Sequence, residues 1–367
     1  MTWFYTFILI FSSYLHAAAP IEGGKAVSLS SLDYVDVMPL RMPGQRTCSG
    51  TRVTPTLVLT AAHCVLEVDG AQEKTKLEVG AFLPELGKVV KITVHPKYAA
   101  AKKAHHLNTS DKHLRAKAIL YDVAFIEMEE KESFFARPYQ KIISPETALE
   151  PRKKMNLAGY GTTRTVWNGE KFEYQNMYKE LQVATNEWNE CPLDYFGNEI
   201  KALSEFNSSL TEHLRIKAKR VHTITNGKEV IETDGRGLAL GGDSGSPALE
   251  RDEEGKFVVT GITSVTYVDA NISEAVLEVE VDGKKILAKE FPKLPTNWGL
   301  SKKPDTEFYE IMYELQELNL LDETGKLKPG VTLKRKYTRV SEGVYSDLSH
   351  PDNQSFIKSI MPAEKKN

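Results

Sequence analysis

Apolar and polar positions follow two distinct patterns in the last third of the chain. Residues 276–281 and 284–288 are two runs of strand-forming residues that flank Asp282-Gly283, and this arrangement predicts a β-hairpin with a two-residue turn. Farther along, Pro304-Asp305 provides an N-terminal cap for apolar residues that recur at helical spacing, namely Phe308, Ile311, Met312, Leu315 and Leu318. We expect an α-helix there, ended by Gly325.

The N-terminal residues form a different kind of apolar segment. Residues 3–15 are apolar but too few to span a bilayer, and Ala17-Ala18-Ala19 follows them. We interpret residues 1–19 as a signal peptide, although no Lys or Arg precedes the apolar run; the alternative is a buried N-terminal strand. The expected product is a secreted protein, extracellular or periplasmic, that is not attached to a membrane after the signal is removed.

Composition limits the remaining possibilities. The 367 residues could form one large or two medium domains, and an apolar content of 41% is ample for their cores. A formal net charge of −3 gives no electrostatic argument for binding nucleic acid. Only three cysteines are present, at positions 48, 64 and 191.

Three motifs carry the chemistry, and they occur in the order His, Asp, Ser. They are Thr60-Ala61-Ala62-His63-Cys64, Tyr121-Asp122-Val123-Ala124 and Gly241-Gly242-Asp243-Ser244-Gly245. Glycines on both sides of an Asp-Ser pair are what a tight, exposed turn around a nucleophile requires. The order and the local setting of each residue resemble the trypsin/chymotrypsin family of serine proteases, and they differ from the subtilisin and α/β-hydrolase arrangements.

The resemblance implies a role for each of these residues. Ser244 would be the nucleophile, His63 the general base and acid, and Asp122 the group that orients and stabilises the imidazolium. The backbone amides of Gly242 and Ser244 would form the oxyanion hole. This is hydrolysis of peptide bonds through an acyl-enzyme, with a protein or peptide substrate and without a cofactor or a metal.

The resemblance also implies an all-β fold. We expect two six-stranded antiparallel β-barrels with the active site between them and a C-terminal helix, the chymotrypsin-like fold. The protease domain would span residues 21–358, with the N-terminal barrel at about 21–140, the C-terminal barrel at about 141–358 and a tail at 359–367. Cys48 and Cys64 match the family disulfide beside the histidine. Cys191 lacks its usual partner, a pattern that suggests a bacterial enzyme.

Pocket residues are assigned by their spacing from the nucleophile. Leu238 would lie at the base of the primary pocket, Thr266 at its wall and Gly343 at its back, while Ser264 would support Asp122 on the strand that binds substrate. An apolar base cannot pair with a substrate cation, so we expect cleavage after small or medium apolar residues. The alternative is a basic preference, supplied by Asp234 from a rearranged loop.

Activation follows from the same resemblance. A free amine at Ile21 would fold inward and pair with Asp243, ordering the oxyanion loop. Pro20 stands where the family has Arg or Lys, so trypsin-like cleavage cannot expose Ile21. The protein would then be a zymogen that is processed by another route, such as signal-peptide removal after Ala18 followed by a dipeptidyl peptidase.

Added segments distinguish this chain from the family pattern. The region between Tyr98 and Tyr121 reads as a long basic loop, whose His105 and His106 raise the alternative of a metal site. Residues 196–221 lengthen the region after Cys191, and most of this region is predicted to form an amphipathic helix or a surface loop. Residues 267–342 form a large α/β insertion near the active site, either a lid or exosite for a protein partner or a decoration of the second barrel. The competing function is a catalytically silent pseudoprotease that binds proteins.

Overall fold

The computed structural model describes sixteen stretches of the chain: residues 24–27, 33–41, 47–69, 72–84, 86–108, 112–129, 139–147, 154–161, 164–167, 172–175, 181–187, 215–225, 228–233, 236–237, 239–291 and 313–361. Several predictions fall outside these residues. They concern the signal peptide, the Ile21 amine, Cys191, Asp234, Leu238 and the first part of the predicted helix, residues 304–312.

The N-terminal part is built on a nearly closed six-stranded antiparallel barrel. Its strands are ordered β2-β3-β4-β9-β8-β7. The strands of this part are β1 (Lys25–Ala26), β2 (Val37–Arg41), β3 (Thr47–Arg52), β4 (Leu57–Thr60), β5 (Leu66–Asp69), β6 (Gln72–Thr75), β7 (Phe82–Leu83), β8 (Gly87–Val94) and β9 (Ala124–Met128). Apolar side chains that are 0–1% exposed fill the barrel, among them Leu40, Leu59 and Phe125. Their burial is the main stabilising contribution.

The C-terminal part is organised around one ten-stranded sheet. Its main path runs β1-β14-β11-β17-β18-β20-β15-β16, and β10 and β19 both pair with β18. The strands of this part of the chain, whether or not they belong to that sheet, are β10 (Lys141–Ile142), β11 (Lys154–Gly159), β12 (Arg164–Trp167), β13 (Phe172–Gln175), β14 (Gln182–Glu187), β15 (Arg215–Thr225), β16 (Lys228–Thr233), β17 (Pro247–Arg251), β18 (Phe257–Val281), β19 (Lys284–Phe291) and β20 (Val331–Asp347). The protein is therefore mostly β-sheet, and the second closed barrel stays a prediction.

The helices whose full extent lies within the described residues are α1 (Ala62–Val65), α2 (Pro96–Leu107), α3 (Lys112–Leu120) and α4 (Pro351–Ile360). The C-terminal helix α4 packs on the rest of the fold through Phe356 and through Asn353, whose Nδ2 donates to Leu120 O at 2.9 Å. Among the described residues, none of the helices has the length and apolar character that crossing a bilayer requires.

One expectation about an added segment is wrong. The region between Tyr98 and Tyr121 is not an extended loop but the helical hairpin of α2 and α3. Two features cap the beginning of α2. Pro96 is its first residue, and the side chain of His95 accepts from Lys97 N through Nδ1 at 3.2 Å. Residues 215–221, the last part of the 196–221 region, belong to strand β15, which pairs with β20. Residues 196–214 lie outside the described residues, so the expectation for most of this region stays a prediction.

The hairpin predicted in the 267–342 segment is present. Val281 pairs with Lys284, and Asp282 (φ 50°) and Gly283 (φ 76°) have the left-handed backbone of a type I′ turn. The strands β18 and β20 continue into this segment from the rest of the sheet, so its described part extends that sheet. Its placement as an insertion at the active-site mouth stays a prediction.

The helix predicted after the hairpin ends earlier than expected. Residues 313–317 are helical and Leu315 is fully buried, but Leu318 is 48% exposed. Asn319 ends the helix in a left-handed conformation (φ 55°), and Leu320 N donates back to Leu315 O at 2.9 Å. Gly325 lies instead in a separate turn, in which its amide donates to Asp322 O.

Candidate active site

Strand register brings His63 and Asp122 together. Strands β4 and β9 are antiparallel neighbours, and Thr60 is paired with Ala124. His63 follows the end of β4 by three residues, and Asp122 precedes the start of β9 by two, so both leave the barrel at the same edge. His63 Nδ1 lies 2.7 Å from Asp122 Oδ2, and the backbone amide of His63 donates to Asp122 Oδ1 at 2.7 Å.

Asp122 is held as a buried carboxylate by several donors. Burial alone would raise the pKa of Asp122, but the charge of His63 and the hydrogen bonds from His63 and Ser264 lower it below its ordinary value. Ser264 Oγ donates to Asp122 Oδ2 at 2.5 Å. The pairing of β18 with β20 shifts register between Thr263 and Val265, and such a bulge redirects the side chain between them.

The Ser244 loop is anchored to the N-terminal barrel by Ser49. The amide of Ser49 donates to Ser244 O at 2.8 Å, and Ser49 Oγ donates to Gly242 O at 3.1 Å. Gly242 has a φ of 94°, a conformation that favours glycine. The loop is thus fixed on both sides of Asp243 by a residue of β3.

Gly245 allows this loop to approach the strand that leads to His63. A Cβ at Gly245 would collide with Thr60 Oγ1 and Ser49 O, and its φ of 83° also disfavours other residues. On the far side, the amide of Gly245 donates to Thr263 O at 2.8 Å. The glycine after Ser244 is therefore required both by its conformation and by its neighbours.

The disulfide lies between Ser244 and His63. Cys48 and Cys64 are bonded, as the resemblance predicts, and Cys64 Sγ is 3.6 Å from Ser244 O and 3.9 Å from His63 Nε2. Within the described part of the chain, no hydrogen bond is formed between Ser244 Oγ and His63 Nε2. Such bonds are often long in the absence of substrate and tighten in the complex.

Asp243 points away from Ser244 into a fully buried site. Its Oδ1 accepts from Gly161 N at 2.6 Å and its Oδ2 from Leu240 N at 2.9 Å. A Cβ on either Gly159 or Gly161 would collide with this carboxyl group. Burial raises the pKa of Asp243 to about 7 in spite of the two amides. No ion pair to Asp243 is formed by the described residues.

The predicted pocket positions are partly brought together. Thr266 on β18 is paired with Gly343 on β20, and Gly343 is buried. Thr266 Oγ1 donates to Ala239 O at 2.7 Å, which ties the pocket wall to the segment that precedes the nucleophile. Leu238 and Ile21 lie outside the described residues, so their assignments stay predictions.

Possible metal ligands converge at one point of the described structure. Cys48, His63 and Cys64 have their ligand atoms within 4.8 Å of one another. Because the two sulfurs are bonded to each other, this group does not supply two thiolates. His105 and His106 belong to no such group among the described residues.

Three contributions to the site were missed by reasoning from the sequence. They are the anchoring of the nucleophile loop by Ser49, the space that Gly159 and Gly161 leave for Asp243, and the ammonium group of Lys76, which donates to His63 O at 2.9 Å. Ser49 and the two glycines each contact a residue distant in the sequence. We find no sequence signal for Lys76.

Comparison with protein families agrees with this geometry. Residues 21–282 match the family model described as Trypsin. The matched region contains His63, Asp122 and Ser244 together with the strands and loops that position them. Because the match covers more than half of the chain, the protein belongs to the trypsin family, a family of serine proteases that act on proteins and peptides.

Proposed function

We propose that this protein is a secreted serine endopeptidase whose catalytic triad is His63, Asp122 and Ser244. The observation that carries the proposal is the His63 Nδ1–Asp122 Oδ2 contact of 2.7 Å, at a carboxylate that also accepts from Ser264. An imidazole held by its Nδ1 presents Nε2 to a nucleophile in the tautomer that can accept a proton.

The chemistry then follows from the properties of each group. Ser244 Oγ attacks the substrate carbonyl carbon while His63 Nε2 takes its proton, and the carbonyl oxygen becomes an oxyanion. His63 returns the proton to the leaving amine as the C–N bond breaks, which leaves an acyl-enzyme. Water activated by His63 hydrolyses that ester and restores Ser244. Asp122 stays ionised and stabilises the imidazolium at both steps.

The oxyanion would be bound by the backbone amides of Gly242 and Ser244. Removing one such donor typically lowers kcat by about 10²–10³. The amides act only if the loop is held in place before substrate arrives, and the bonds from Ser49 to Gly242 O and Ser244 O support that arrangement. Ser49 is therefore assigned as a positioning residue.

Primary specificity for small or medium apolar residues rests on the pocket positions. Thr266 is β-branched and is held by its hydrogen bond to Ala239 O, so its side chain would narrow the pocket next to Gly343. Leu238 at the base would leave a substrate cation without a counter-charge. A panel of peptide substrates that differ only at the residue before the scissile bond tests this assignment.

Activation by a free Ile21 amine is supported by the environment of Asp243. The Asp243 carboxyl group is fully buried and accepts hydrogen bonds from two backbone amides, but no cation among the described residues pairs with it. Its ionised form is therefore destabilised. An ammonium group that reached it would relieve this penalty and would hold the adjacent Gly242 and Ser244 amides in place.

Export is supported by the Cys48–Cys64 disulfide. Such bonds persist in oxidising compartments and are rare in the cytosol. The apolar run at residues 3–15 is the matching targeting signal.

Covalent labelling with a fluorophosphonate probe tests the proposal. Two forms are compared, one that begins at Ile21 and one that retains Ala19-Pro20, each with a Ser244→Ala control. Labelling of Ser244 only in the first form would establish both enzyme and switch, whereas equal labelling would retain the enzyme and exclude the switch. If neither form were labelled although both were folded, the catalytically silent pseudoprotease that binds proteins would replace the proposal.

A further inference from the structure

A cleft of about 620 Å³ adjoins His63 and Asp122 on the side of the α2–α3 hairpin. One wall is formed by residues of β18, Ser264, Val265 and Thr266, along which the substrate backbone of the proposed protease would lie. The opposite wall comes from the helical hairpin and from the β5–β6 hairpin. Peptide residues that precede the scissile bond would therefore pass over this cleft.

The helical hairpin that covers the cleft is strongly cationic. The sequences of α2 and α3 contain no Asp or Glu, and they carry the basic residues Lys97, Lys102, Lys103, Lys112, Arg115 and Lys117 with three histidines. The chain as a whole has a formal net charge of −3. Positive charge concentrated on one wall of a cleft attracts ligands of the opposite sign.

Lys102 is the cation of α2 that lines the cleft without an ion pair. Its neighbour Lys103 pairs with Glu73 at 2.6 Å, and Lys97 pairs with Asp352 at 2.6 Å. Lys76 also lines the cleft, but its ammonium group donates to His63 O. Within the part of the chain that the structure describes, Lys102 forms no ion pair, so its charge is available to a ligand.

The negative groups in the lining are already engaged. Asp122 accepts from the His63 backbone, the His63 ring and Ser264, and Glu67 has an interaction of its own. The remaining lining is largely apolar and includes Leu66, Val68, Tyr98, Ala118 and Ile119. Such a site accepts a side chain that has methylene groups followed by a negative charge.

We propose that this cleft is a substrate subsite for an acidic side chain, with glutamate preferred, located two to four residues before the scissile bond. Lys102 pairs with the carboxylate, and Leu66, Val68 and Ile119 pack against the methylene groups. The inference rests on the proposed protease function. It assigns to the α2–α3 hairpin a role in selecting substrates that combine an apolar residue at the cleaved bond with an acidic residue before it.

Matched fluorogenic peptides test the subsite. They share one apolar residue before the scissile bond and carry Glu, Gln or Lys at the second, third or fourth position before it. At one of these positions we expect Glu to raise kcat/KM about three- to tenfold over Gln and Lys to lower it, the range expected for a partly solvated ion pair. The preference should decrease with added salt because solvent screens the pair.

Variants at adjacent lysines supply the control. Lys102→Met should abolish the preference for Glu, and Lys102→Glu should reverse it in favour of Lys. Lys103→Gln removes a charge from the next residue of α2, which does not line the cleft, and should leave the preference within about twofold of the wild type on the same scale. Thermal unfolding of each variant establishes that it is folded.

The outcomes separate the two proposals. Ser244 labelling together with equal kcat/KM for Glu and Gln at all three positions would overturn the subsite and leave the protease. A preference for Glu that survives in Lys102→Met would also overturn it. If no peptide were cleaved and Ser244 were not labelled, both proposals would fail together.

Discussion

Asp122 and Asp243 are two buried aspartates of the candidate active site, and their pKa values are shifted in opposite directions. Asp122, 3% exposed, contacts His63 and Ser264, and its pKa is lowered. Asp243, fully buried, accepts only from two backbone amides, and its pKa is raised to about 7. Burial raises the pKa of both groups, so the presence or absence of a charged partner decides the direction.

The comparison indicates that the two halves of the site are complete to different degrees. In the His63–Asp122 half, both oxygens of Asp122 accept hydrogen bonds. One of the donors is the His63 ring, which can carry a positive charge. In the Asp243 half, two backbone amides donate to the carboxylate, but no cation among the described residues pairs with it. Substitutions and pH can each disturb one half while the other is left intact.

The largest effect is expected from Asp122→Asn. An amide at this position cannot hold His63 in the tautomer that accepts a proton, and in the serine-protease triad this change lowers kcat by about 10⁴. Ser264→Ala keeps the charge of Asp122 and removes one donor, so it should cost about tenfold or less. Steady-state hydrolysis of an apolar peptide substrate measures both. An Asp122→Asn loss below tenfold would mean that the contact is structural.

An intermediate effect is expected from Gly161→Ala. The added Cβ would displace the Asp243 carboxyl group and with it the loop that carries Gly242 and Ser244. We expect the rate of fluorophosphonate labelling to fall about 10²–10³-fold, the range for a lost oxyanion donor. Gly261→Ala is the matched control, because a Cβ there meets its nearest neighbours at 3.4 Å, an ordinary contact. Equal labelling of the two variants would contradict the assigned role of Gly161.

The smallest effect is a difference in the pH dependence of stability. Asp243 ionises near 3.8 when unfolded and near 7 when folded, so the free energy of unfolding decreases as pH rises between these values and is constant above them. At pH 8 this penalty is on the order of 2–4 kcal/mol. A chain that begins at Ile21 should lose less, because its ammonium group pairs with the carboxylate.

Thermal unfolding of the two forms between pH 4 and pH 8, both carrying Ser244→Ala, measures this difference. Asp122 acts in the opposite direction, since a lowered pKa means that its contribution is lost as pH falls. Both forms contain Asp122, so its effect cancels when they are compared. Superimposable stability curves would indicate that Ile21 does not reach Asp243.

Reasoning from the sequence predicted the catalytic side of the site better than the segments around it. Asp122 could be identified locally because it precedes an apolar strand, β9. In the structure β9 pairs with β4, the strand that precedes His63. The helical hairpin over 96–120 was missed because its many lysines and histidines resemble a solvated loop, and its capping by His95 and Pro96 was not recognised. The end of the later helix was misassigned because Asn319 ends it six residues before Gly325.

The sequence by itself determined the family, the order of the catalytic motifs and the glycines that the nucleophile turn needs, since these depend on residue type and short spacing. Only the tertiary structure decided which groups surround each charge. Ser49 meets Gly242, Gly161 meets Asp243, and Lys102 lines the cleft beside His63, because strands distant in the chain are brought together by pairing and core packing. Contacts between segments that are distant in the chain set the pKa values and the charge of the cleft lining, and they have no signature in any single segment.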